Sequence, residues 1–316
     1  LILWGLAVIV CMPVTFGQVV LTKGNSKANE FGMINRKSNA HLYFDEQDFE
    51  VVKKAANLFS DDVQLVTGKK MQVEATKNKL ASNSIIVGTL GHNKLIDKLV
   101  AKNKLDVRAL ENRWESYLIE VVRNPFPGVN KALVIVGSDR RGTAYGLFSI
   151  SETIGVSPWY WWADAPVAKH TELNLKVDKI ISKEPTVKYR GIFINDEDWG
   201  LLRWAKNTFE KERGNIGPKT YAKVCELLLR LKANYLCPAM HEASTAFNKI
   251  PENKLVADSF AIVMGSVHCE PLLFNNASEW DKKTMGEWDY VNNKGTLNRV
   301  LKQRVTENSP YENVYT

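Results

Sequence analysis

Three apolar runs in the second half of the sequence each end in ionisable or polar side chains. The runs are GIFI at 191–194, NYLCPAM at 234–240 and SFAIVMGS at 259–266. Carboxylates behind such runs can serve as general acids or bases, and histidines can donate hydrogen bonds to hydroxyls or carboxylates. The side chains that follow the runs and form the candidate site are Asn195, Asp196, Glu197, Asp198, Trp199, His241, Glu242, His268 and Glu270.

Asp196 and Glu197 are the candidate catalytic residues, because two carboxylates across a sugar can supply a general acid and a general base. Separations of roughly 6.5 to 9.5 Å lead to inversion, and about 5 to 5.5 Å to retention. Neighbouring side chains of a strand point in opposite directions, so this pair shares a side only where the strand bulges or turns. An Asx-type turn or a helix cap accounts for the same residues, since Asn and Asp bond readily to nearby backbone N–H groups. Both interpretations stay open from these residues alone.

No metal or cofactor is expected from the other motifs. His241 and Glu242 begin like a zinc-protease helix, but no second histidine follows at the required spacing. The glycines of GSDRRGTAYG, at 137–146, fit neither the dinucleotide fingerprint nor the P-loop and favour a tight strand-to-helix turn. His241 and His268 are candidates for substrate binding, with histidines satisfied by the local backbone as the alternative. Cys269 has no evident base partner and is expected to be buried.

Length and composition fit a soluble globular chain of about two domains. Of the 316 residues, 45% are hydrophobic and 24% are charged, which excludes a disordered or fibrous protein. The formal net charge is +7, so the surface attracts anions on balance. Because Lys and Arg form no run of five or more, nucleic acid is not an expected partner.

The first residues, LILWGLAVIVCMPVTFG at 1–17, have the apolar character of a secretory signal peptide that lacks its true start. The run is shorter than the ~20 residues that span a bilayer, so we expect no membrane span in the mature form. Removal of this segment would leave Cys225, Cys237 and Cys269, an odd set at wide spacing that indicates packing rather than a disulfide framework. We therefore expect export, to a bacterial periplasm or beyond.

Residues 18–166 are predicted to form an α/β domain. The runs VVLT, HLYF, SIIVGT, YLIEVV and ALVIVGS have the length and residue types of strands. Asp45 offers an N-cap to a helix whose apolar positions recur every three or four residues between Phe49 and Val66. A second helix, RRGTAYGLFSISET, is predicted to end at Gly155.

Two further segments separate this domain from the rest of the chain. The aromatic stretch PWYWWADAP, at 158–166, is either a packing cluster or a platform for sugars, and packing is favoured. Residues 167–186, with prolines at both ends, are predicted to form a linker.

From Val187 onward the sequence alternates strand and helix three times. The first of these helices is predicted to open at Gly217-Pro218, because proline suits the first helical turn. The last contains Leu297, Val300, Leu301 and Val305. Apolar strands with polar residues at their C-terminal ends are typical of a (β/α)8 barrel enzyme. The predicted fold class is therefore α/β, with an N-terminal α/β sandwich-like domain and, at 187–316, the first part of a truncated (β/α)8 TIM barrel.

Several long stretches closely resemble glycoside hydrolase family 115. They are KYRGIFINDEDWGL, GNIGPKTYAKVCELLLRLKANYL, PAMHE, PENKLVADSFAIVMGSVHCEP and NNASEWD, and GSDRRGTAYGLFSISETIGVSPWYWWADAPV resembles the end of that family's N-terminal domain. The resemblance implies a xylan α-1,2-glucuronidase that removes glucuronic acid, or its 4-O-methyl ether, from glucuronoxylan with inversion. It makes Asp196 the first choice for the base-side or substrate-binding acid and Glu197 the second. It also implies that His268, and less securely His241 and Glu242, line the pocket, and that the general acid lies beyond Thr316.

Two positions depart from the family pattern: Cys237 stands where the family has Trp, and Phe274 where it has Arg. These departures keep a second hypothesis open, a non-catalytic carbohydrate-binding protein on the same scaffold. A third hypothesis is a hexosaminidase-like glycosidase, since such enzymes also join an α/β domain to a barrel. The expected partner is glucuronoxylan or an acidic oligosaccharide, and the complete protein is a candidate homodimer. As an N-terminal fragment the 316-residue chain is expected to be inactive by itself.

Overall fold

The strands of the first half form two sheets. In the computed structural model the described residues are 17–22, 29–36, 38–76, 79–195, 197–267 and 270–314. All but Gly17 of the predicted signal segment thus lies outside the described residues. The strands are β1 (Val19–Thr22), β2 (Glu30–Ile34), β3 (His41–Phe44), β4 (Val73–Ala75), β5 (Asn83–Thr89), β6 (Tyr117–Arg123), β7 (Lys131–Gly137), β8 (Leu173–Val177) and β9 (Ile180–Ile181).

The larger sheet has the strand order β4-β3-β5-β7-β6-β9. Its first four strands are parallel, and β6 pairs antiparallel with both β7 and β9. Helices α1 (Glu50–Thr67) and α3 (Arg140–Thr153) cover one face, and α2 (Lys94–Ala101) covers the other. Side chains along β7 alternate between these two cores, as a strand buried on both faces requires. The predicted strands and helices of this half are thereby confirmed.

The predicted N-cap of α1 is wrong. The helix begins at Glu50 after Phe49, and a turn separates it from Asp45 at the end of β3. The Asp45 carboxylate accepts hydrogen bonds from the N–H groups of Gln47 (3.0 Å) and Lys94 (3.1 Å). Its bonding capacity is therefore used at its own turn and at the start of α2.

The turn between β7 and α3 is as tight as its glycines predict. Asp139 caps the helix by accepting from the N–H groups of Arg141 (3.0 Å) and Gly142 (2.9 Å). A Cβ on Gly142 would lie 2.2 Å from the carbonyl oxygen of Ser116, so only glycine fits there. Gly155, with φ of +100°, follows the end of the helix. The glycines therefore serve packing and turns.

The second, three-stranded sheet has the order β1-β8-β2 and is antiparallel. Two strands lie within 167–186, the predicted linker: β8, the central strand of this sheet, and β9, an edge strand of the larger sheet. Residues 173–177 and 180–181 of that segment are thus paired to strands of the first half. The domain boundaries themselves remain predictions.

The second half contains three short parallel strands in the order β10 (Gly191–Phe193), β11 (Tyr235–Cys237) and β12 (Val263–Met264). Helix α5 begins at Pro218 after Gly217, as predicted. Val314 forms a parallel bridge to Met264 after the last helix, so the alternation of strand and helix continues to the end of the described residues. The helices are α4 (Leu201–Trp204), α5 (Pro218–Arg230), α6 (Pro251–Ser259), α7 (Lys282–Met285) and α8 (Lys294–Asn308).

The aromatic stretch at 158–166 packs against this second half. Trp161 and Trp162 lie edge-to-face with each other and contact Trp204, with ring centroids 4.9 to 5.5 Å apart. The indole N–H of Trp162 donates to the carbonyl of Lys223 at 3.2 Å. The favoured prediction, packing rather than a sugar platform, is confirmed for these rings.

A network of charges, here called the seam, joins the two halves beneath those rings. Arg230 donates to both carboxylate oxygens of Asp62 (2.8 and 2.9 Å) and to Glu226 (2.9 Å). Its guanidinium lies between the rings of Phe148 and Tyr160, 4.7 and 4.8 Å from their centroids. A second part of the seam centres on the buried Glu115, which is bonded to Arg141, Arg190 and Asn234.

No described helix is both long enough and apolar enough to cross a bilayer.

Candidate functional site

The three parallel strands bring their C-terminal ends to one edge, here called the rim. The register pairs Phe193 with Cys237, and Leu236 with Met264. Hydrogen bonds continue one residue further, from Ile194 N–H to the Cys237 carbonyl at 3.0 Å and from Gly265 N–H to the Leu236 carbonyl at 3.0 Å. The polar residues that follow each strand are consequently neighbours in space, as the sequence predicts.

Glu197 is the most buried carboxylate of the rim, with 1% of the residue exposed. Its Oε1 accepts from the backbone N–H of His241 (2.5 Å) and from the hydroxyl of Ser244 (2.9 Å). Its Oε2 is buried without a hydrogen-bond partner among the described residues and lies 3.9 Å from His241 Nδ1. Glu197 therefore ties the turn after β10 to the turn after β11.

His241 is held from a second side by Asp198. The Asp198 Oδ1 lies 3.0 Å from His241 Nδ1, and both side chains are about a third exposed. A carboxylate at this distance orients an imidazole through a hydrogen bond to its Nδ1. The pair therefore fixes the position of an imidazole ring at the rim.

Glu270 follows β12 and is buried, with 6% of the residue exposed. The Asn275 amide donates to its Oε1 at 2.6 Å and to the Met240 carbonyl at 2.6 Å. Burial raises the pKa of Glu270 to about 7; the Asn275 bond lowers it, and the nearby charges of Glu279 and Glu197 raise it. Near neutral pH this carboxyl exchanges between a hydrogen-bond donor and a buried anion.

These groups surround a pocket of about 450 Å³. Four of the predicted site residues, Asp198, His241, Glu242 and Glu270, contribute to its wall. Such a volume falls in the range of small-molecule sites, about 300 to 1,000 Å³. The full lining is Asp198, Met240, His241, Glu242, Ala243, Glu270, Asn275, Asn276 and Ala277.

The other predicted site residues have different positions. Asn195 and Trp199 are exposed and do not line the pocket, and Glu197 contacts it through His241. Asp196 and His268, together with Cys269, lie outside the described residues. The described residues contain no group of three or more side chains suited to hold a metal ion.

Sequence reasoning missed Ser244 and Asn275, which hold Glu197 and Glu270. Ser244 lies three residues behind His241, the spacing of the turn that their backbone bond closes at 3.0 Å. Asn275 belongs to an Asn-Asn pair that follows the buried Phe274. A polar pair in a loop behind a buried aromatic is the signal that could have identified Asn275.

The two positions that depart from the family pattern are both buried. The Cys237 thiol donates to the Tyr235 hydroxyl (3.6 Å), and burial raises its pKa. Phe274 stacks on Trp288, with centroids 5.6 Å apart, and the Arg304 guanidinium lies 5.3 Å from its ring centroid. Phe274 thus takes part in packing behind the Asn275 loop, and neither side chain lines the pocket.

Comparison with known proteins shows a close likeness to one family. Residues 182–316 match the family described as glycosyl hydrolase family 115. A solved structure of BtGH115A, described as a family GH115 4-O-methyl-α-glucuronidase with specificity for decorated arabinogalactans, is 36% identical with a TM-score of 0.76. The match covers 90% of this chain and 35% of that one, so this chain spans about a third of its length.

Two further solved structures are only weakly similar to this chain. A Streptomyces plicatus β-hexosaminidase is 11% identical with a TM-score of 0.44, over 79% of this chain and 44% of that one. An exo β-N-acetylglucosaminidase from Vibrio harveyi is 11% identical with a TM-score of 0.40, over 80% and 35%. Among curated proteins none matches.

Proposed function

Because this chain belongs to glycosyl hydrolase family 115, we propose that the protein containing it removes α-1,2-linked glucuronic acid, or its 4-O-methyl ether, from glucuronoxylan with inversion. The observation that carries the proposal is the rim pocket, where Glu270 and the His241–Asp198 pair meet. Carboxyl and imidazole groups converging on a pocket at the C-terminal ends of parallel strands are suited to glycoside hydrolysis.

Within this proposal the pocket receives the uronic acid. An anionic sugar in a wall of acidic residues is repelled unless some of them are neutral. Glu270, with its pKa of about 7, donates a hydrogen bond to the sugar when protonated. His241, oriented by Asp198, lines the same wall and offers an imidazole nitrogen for a hydrogen bond with the sugar.

The reaction follows the inverting scheme for glycosidases. A carboxylate takes a proton from water as the water attacks the anomeric carbon, while a carboxylic acid protonates the departing oxygen. We assign the base to Asp196 on its place in the sequence, next to the end of β10, with Glu197 as the second choice. Glu197 is already bonded to His241 and Ser244, which suits it to positioning. The acid is proposed to come from a later strand.

The parallel bridge between Val314 and Met264 supports a sheet that continues beyond β12. We propose that it closes into a (β/α)8 barrel in the complete protein, and that the protein is exported and assembles as a homodimer.

The description of the similar structure gives a second candidate substrate. BtGH115A is described as specific for decorated arabinogalactans, so uronic acid attached to an arabinogalactan is the alternative to glucuronoxylan. Cys237 and Phe274, which depart from the family pattern, are buried. They are the reason why the same test also addresses the non-catalytic alternative.

The test uses the complete protein with glucuronoxylan and with glucuronic-acid-decorated arabinogalactan in parallel. We expect release of 4-O-methylglucuronate or glucuronate from one of them, with the β-anomer as the first product by NMR. Binding to either polymer without release would support the carbohydrate-binding alternative. Release of N-acetylglucosamine from a chitooligosaccharide instead would support the hexosaminidase-like one.

Asp196→Asn is the matched variant for the assigned base. It preserves size and removes the charge, so we expect activity to fall by at least about a thousandfold while folding is retained. Glu252→Gln, on an exposed carboxylate of α6 that does not line the pocket, is the control and is expected to keep the activity. Full activity of Asp196→Asn would remove that residue from the mechanism.

A further inference from the structure

Trp199 is a strongly exposed aromatic side chain beside the rim pocket. It is 79% exposed, whereas Trp161, Trp162 and Trp204 pack against one another. Among the described tryptophans only Trp159, at 46%, is also classed as exposed. Asp198, the chain neighbour of Trp199, lines the pocket, so an exposed indole stands next to the place where a ligand would bind.

The turn that carries Trp199 is firmly attached to the pocket. Within it, the Leu202 N–H donates to the Glu197 carbonyl at 2.6 Å, and the Trp204 N–H donates to the Gly200 carbonyl at 3.0 Å. The preceding residue, Asp198, lines the pocket and contacts His241. Because Glu197 anchors the same turn to the loop after β11, Trp199 is held at a fixed place relative to the pocket.

Among the described residues, the surface next to Trp199 is open. A Cβ added to the neighbouring Gly200 would meet no heavy atom within 4 Å, and Asn195 on the other side of the turn is exposed. The indole is therefore accessible to a flat ligand that extends past the pocket. The pocket wall combines carboxyl groups and an imidazole with apolar side chains, whereas Trp199 offers an aromatic face without charge.

We infer that Trp199 forms a subsite for neutral main-chain sugars of the polysaccharide. Its indole stacks on the pyranose ring next to the sugar that carries the uronic acid. The C–H face of a neutral pyranose matches the apolar indole, and a rigid aromatic loses little entropy on binding. This subsite rests on the proposed function: the pocket binds the uronic acid, and Trp199 distinguishes a polymer from a short acidic oligosaccharide.

The kinetic test compares two substrates of the complete protein, the polymer that it hydrolyses and the disaccharide of uronic acid on one main-chain sugar. Trp199→Ala is expected to raise KM for the polymer about tenfold with kcat within about twofold. Both constants for the disaccharide should stay within about twofold. Trp199→Phe, which keeps an aromatic face, should recover most of the polymer KM. Trp159→Ala, at the other exposed tryptophan, is the matched control and should change neither substrate.

Equal losses on both substrates, or an unchanged polymer KM, would overturn the subsite. Retardation of the protein in gels containing the polymer gives a readout that does not need hydrolysis. Wild type should be retarded and Trp199→Ala should not, even if the proposed hydrolysis fails. Acrylamide quenching completes the test: wild type should carry a strongly quenched emission component that Trp199→Phe lacks. Its absence would mean that another part of the complete protein covers Trp199, which also contradicts the subsite.

Discussion

The seam and the rim both bury carboxylates, but they neutralise them differently. In the seam, the Glu226 carboxylate forms ion pairs with Arg230 and Lys223, each at 2.9 Å, and Glu115 forms ion pairs with Arg141 and Arg190. At the rim, Glu270 has the Asn275 amide as its hydrogen-bond donor and no Lys or Arg partner among the described residues. Burial without a cation is costly, and proteins retain it where a proton is to be exchanged.

The pKa directions follow this difference at Glu226 and Glu270 but not at Asp62. Burial raises the pKa of Glu226, but Arg230 and Lys223 outweigh it, and the net pKa is lowered. At Asp62 burial outweighs the same guanidinium, and the pKa stays raised. Glu270, without a cation, has a pKa of about 7. The comparison teaches that two cations can lower the pKa of a buried carboxylate, as at Glu226, whereas a buried carboxylate with only an amide donor, Glu270, titrates near neutral pH.

The largest expected effect lies in the seam. Arg230→Met removes the guanidinium and leaves Asp62 and Glu226 buried without their main cation. We expect the free energy of unfolding to fall by about 3 to 5 kcal/mol, measured by urea denaturation. The control Arg36→Met removes an exposed guanidinium 3.5 Å from Glu172 and should change little. A loss no larger than that of the control would contradict the role given to the seam.

The second effect tests the unpaired charge at the rim. The unfolded chain releases the Glu270 proton near pH 4.5 and the folded protein near pH 7, so the folded state holds more protons between these values. Stability from this group is therefore complete below about pH 4.5 and is lost as pH rises through 7. Glu270→Gln should remove that loss and stabilise the protein at pH 8, relative to pH 4.5, by about 1 to 2 kcal/mol. This is less than the full shift implies, because the pocket admits solvent.

The measurement is urea unfolding of both proteins at several pH values between 4.5 and 8. Parallel pH dependences of wild type and Glu270→Gln would contradict the raised pKa.

A smaller effect is expected where the rim is held together. Ser244→Ala removes one of the two donors to the buried Glu197 Oε1. We expect a loss of about 1 kcal/mol in the free energy of unfolding and a higher KM, because His241 is less well placed. Ser259→Ala, whose hydroxyl donates to the Val256 carbonyl at 2.8 Å away from the rim, serves as the control for removing a serine hydroxyl. An unchanged KM would show that the hydrogen bond from Ser244 to Glu197 does not affect substrate binding.

The smallest effect sharpens the distinction between buried and exposed acids. Glu242 lines the same pocket as Glu270 but is exposed. Glu242→Gln should have the same free energy of unfolding as wild type, with the same dependence on pH. A pH dependence altered as much as that of Glu270→Gln would show that the number of acidic groups matters, rather than their burial.

Much of the fold could be predicted because local patterns agree with it. The apolar periodicity of α1 and the Gly217-Pro218 start of α5 locate those helices correctly. The N-cap at Asp45 was mispredicted because its carboxylate bonds to Lys94, a contact 49 residues away in sequence. In the same way β8 and β9 are strands because β1, β2 and β6 pair with them, which a proline-bounded segment does not reveal.

The candidate site was predictable in position but only partly in roles. Three polar strand ends predict the rim, and the pocket contains four of the residues expected there. Glu197 is held by His241 and Ser244, which lie 44 and 47 residues away in the sequence. Glu270 is held by Asn275, which lies 5 residues away. Residue type and spacing do not encode which carboxylate receives those bonds.

The most direct test of the rim as an active site is the pH dependence of kcat/KM for uronic acid release by the complete protein. The account predicts that wild-type kcat/KM falls as pH rises through about 7, because Glu270 becomes an anion facing an anionic sugar. Glu270→Gln, which stays neutral and can still donate a hydrogen bond, should lack that decline. A decline of equal midpoint and depth in both proteins would contradict the account.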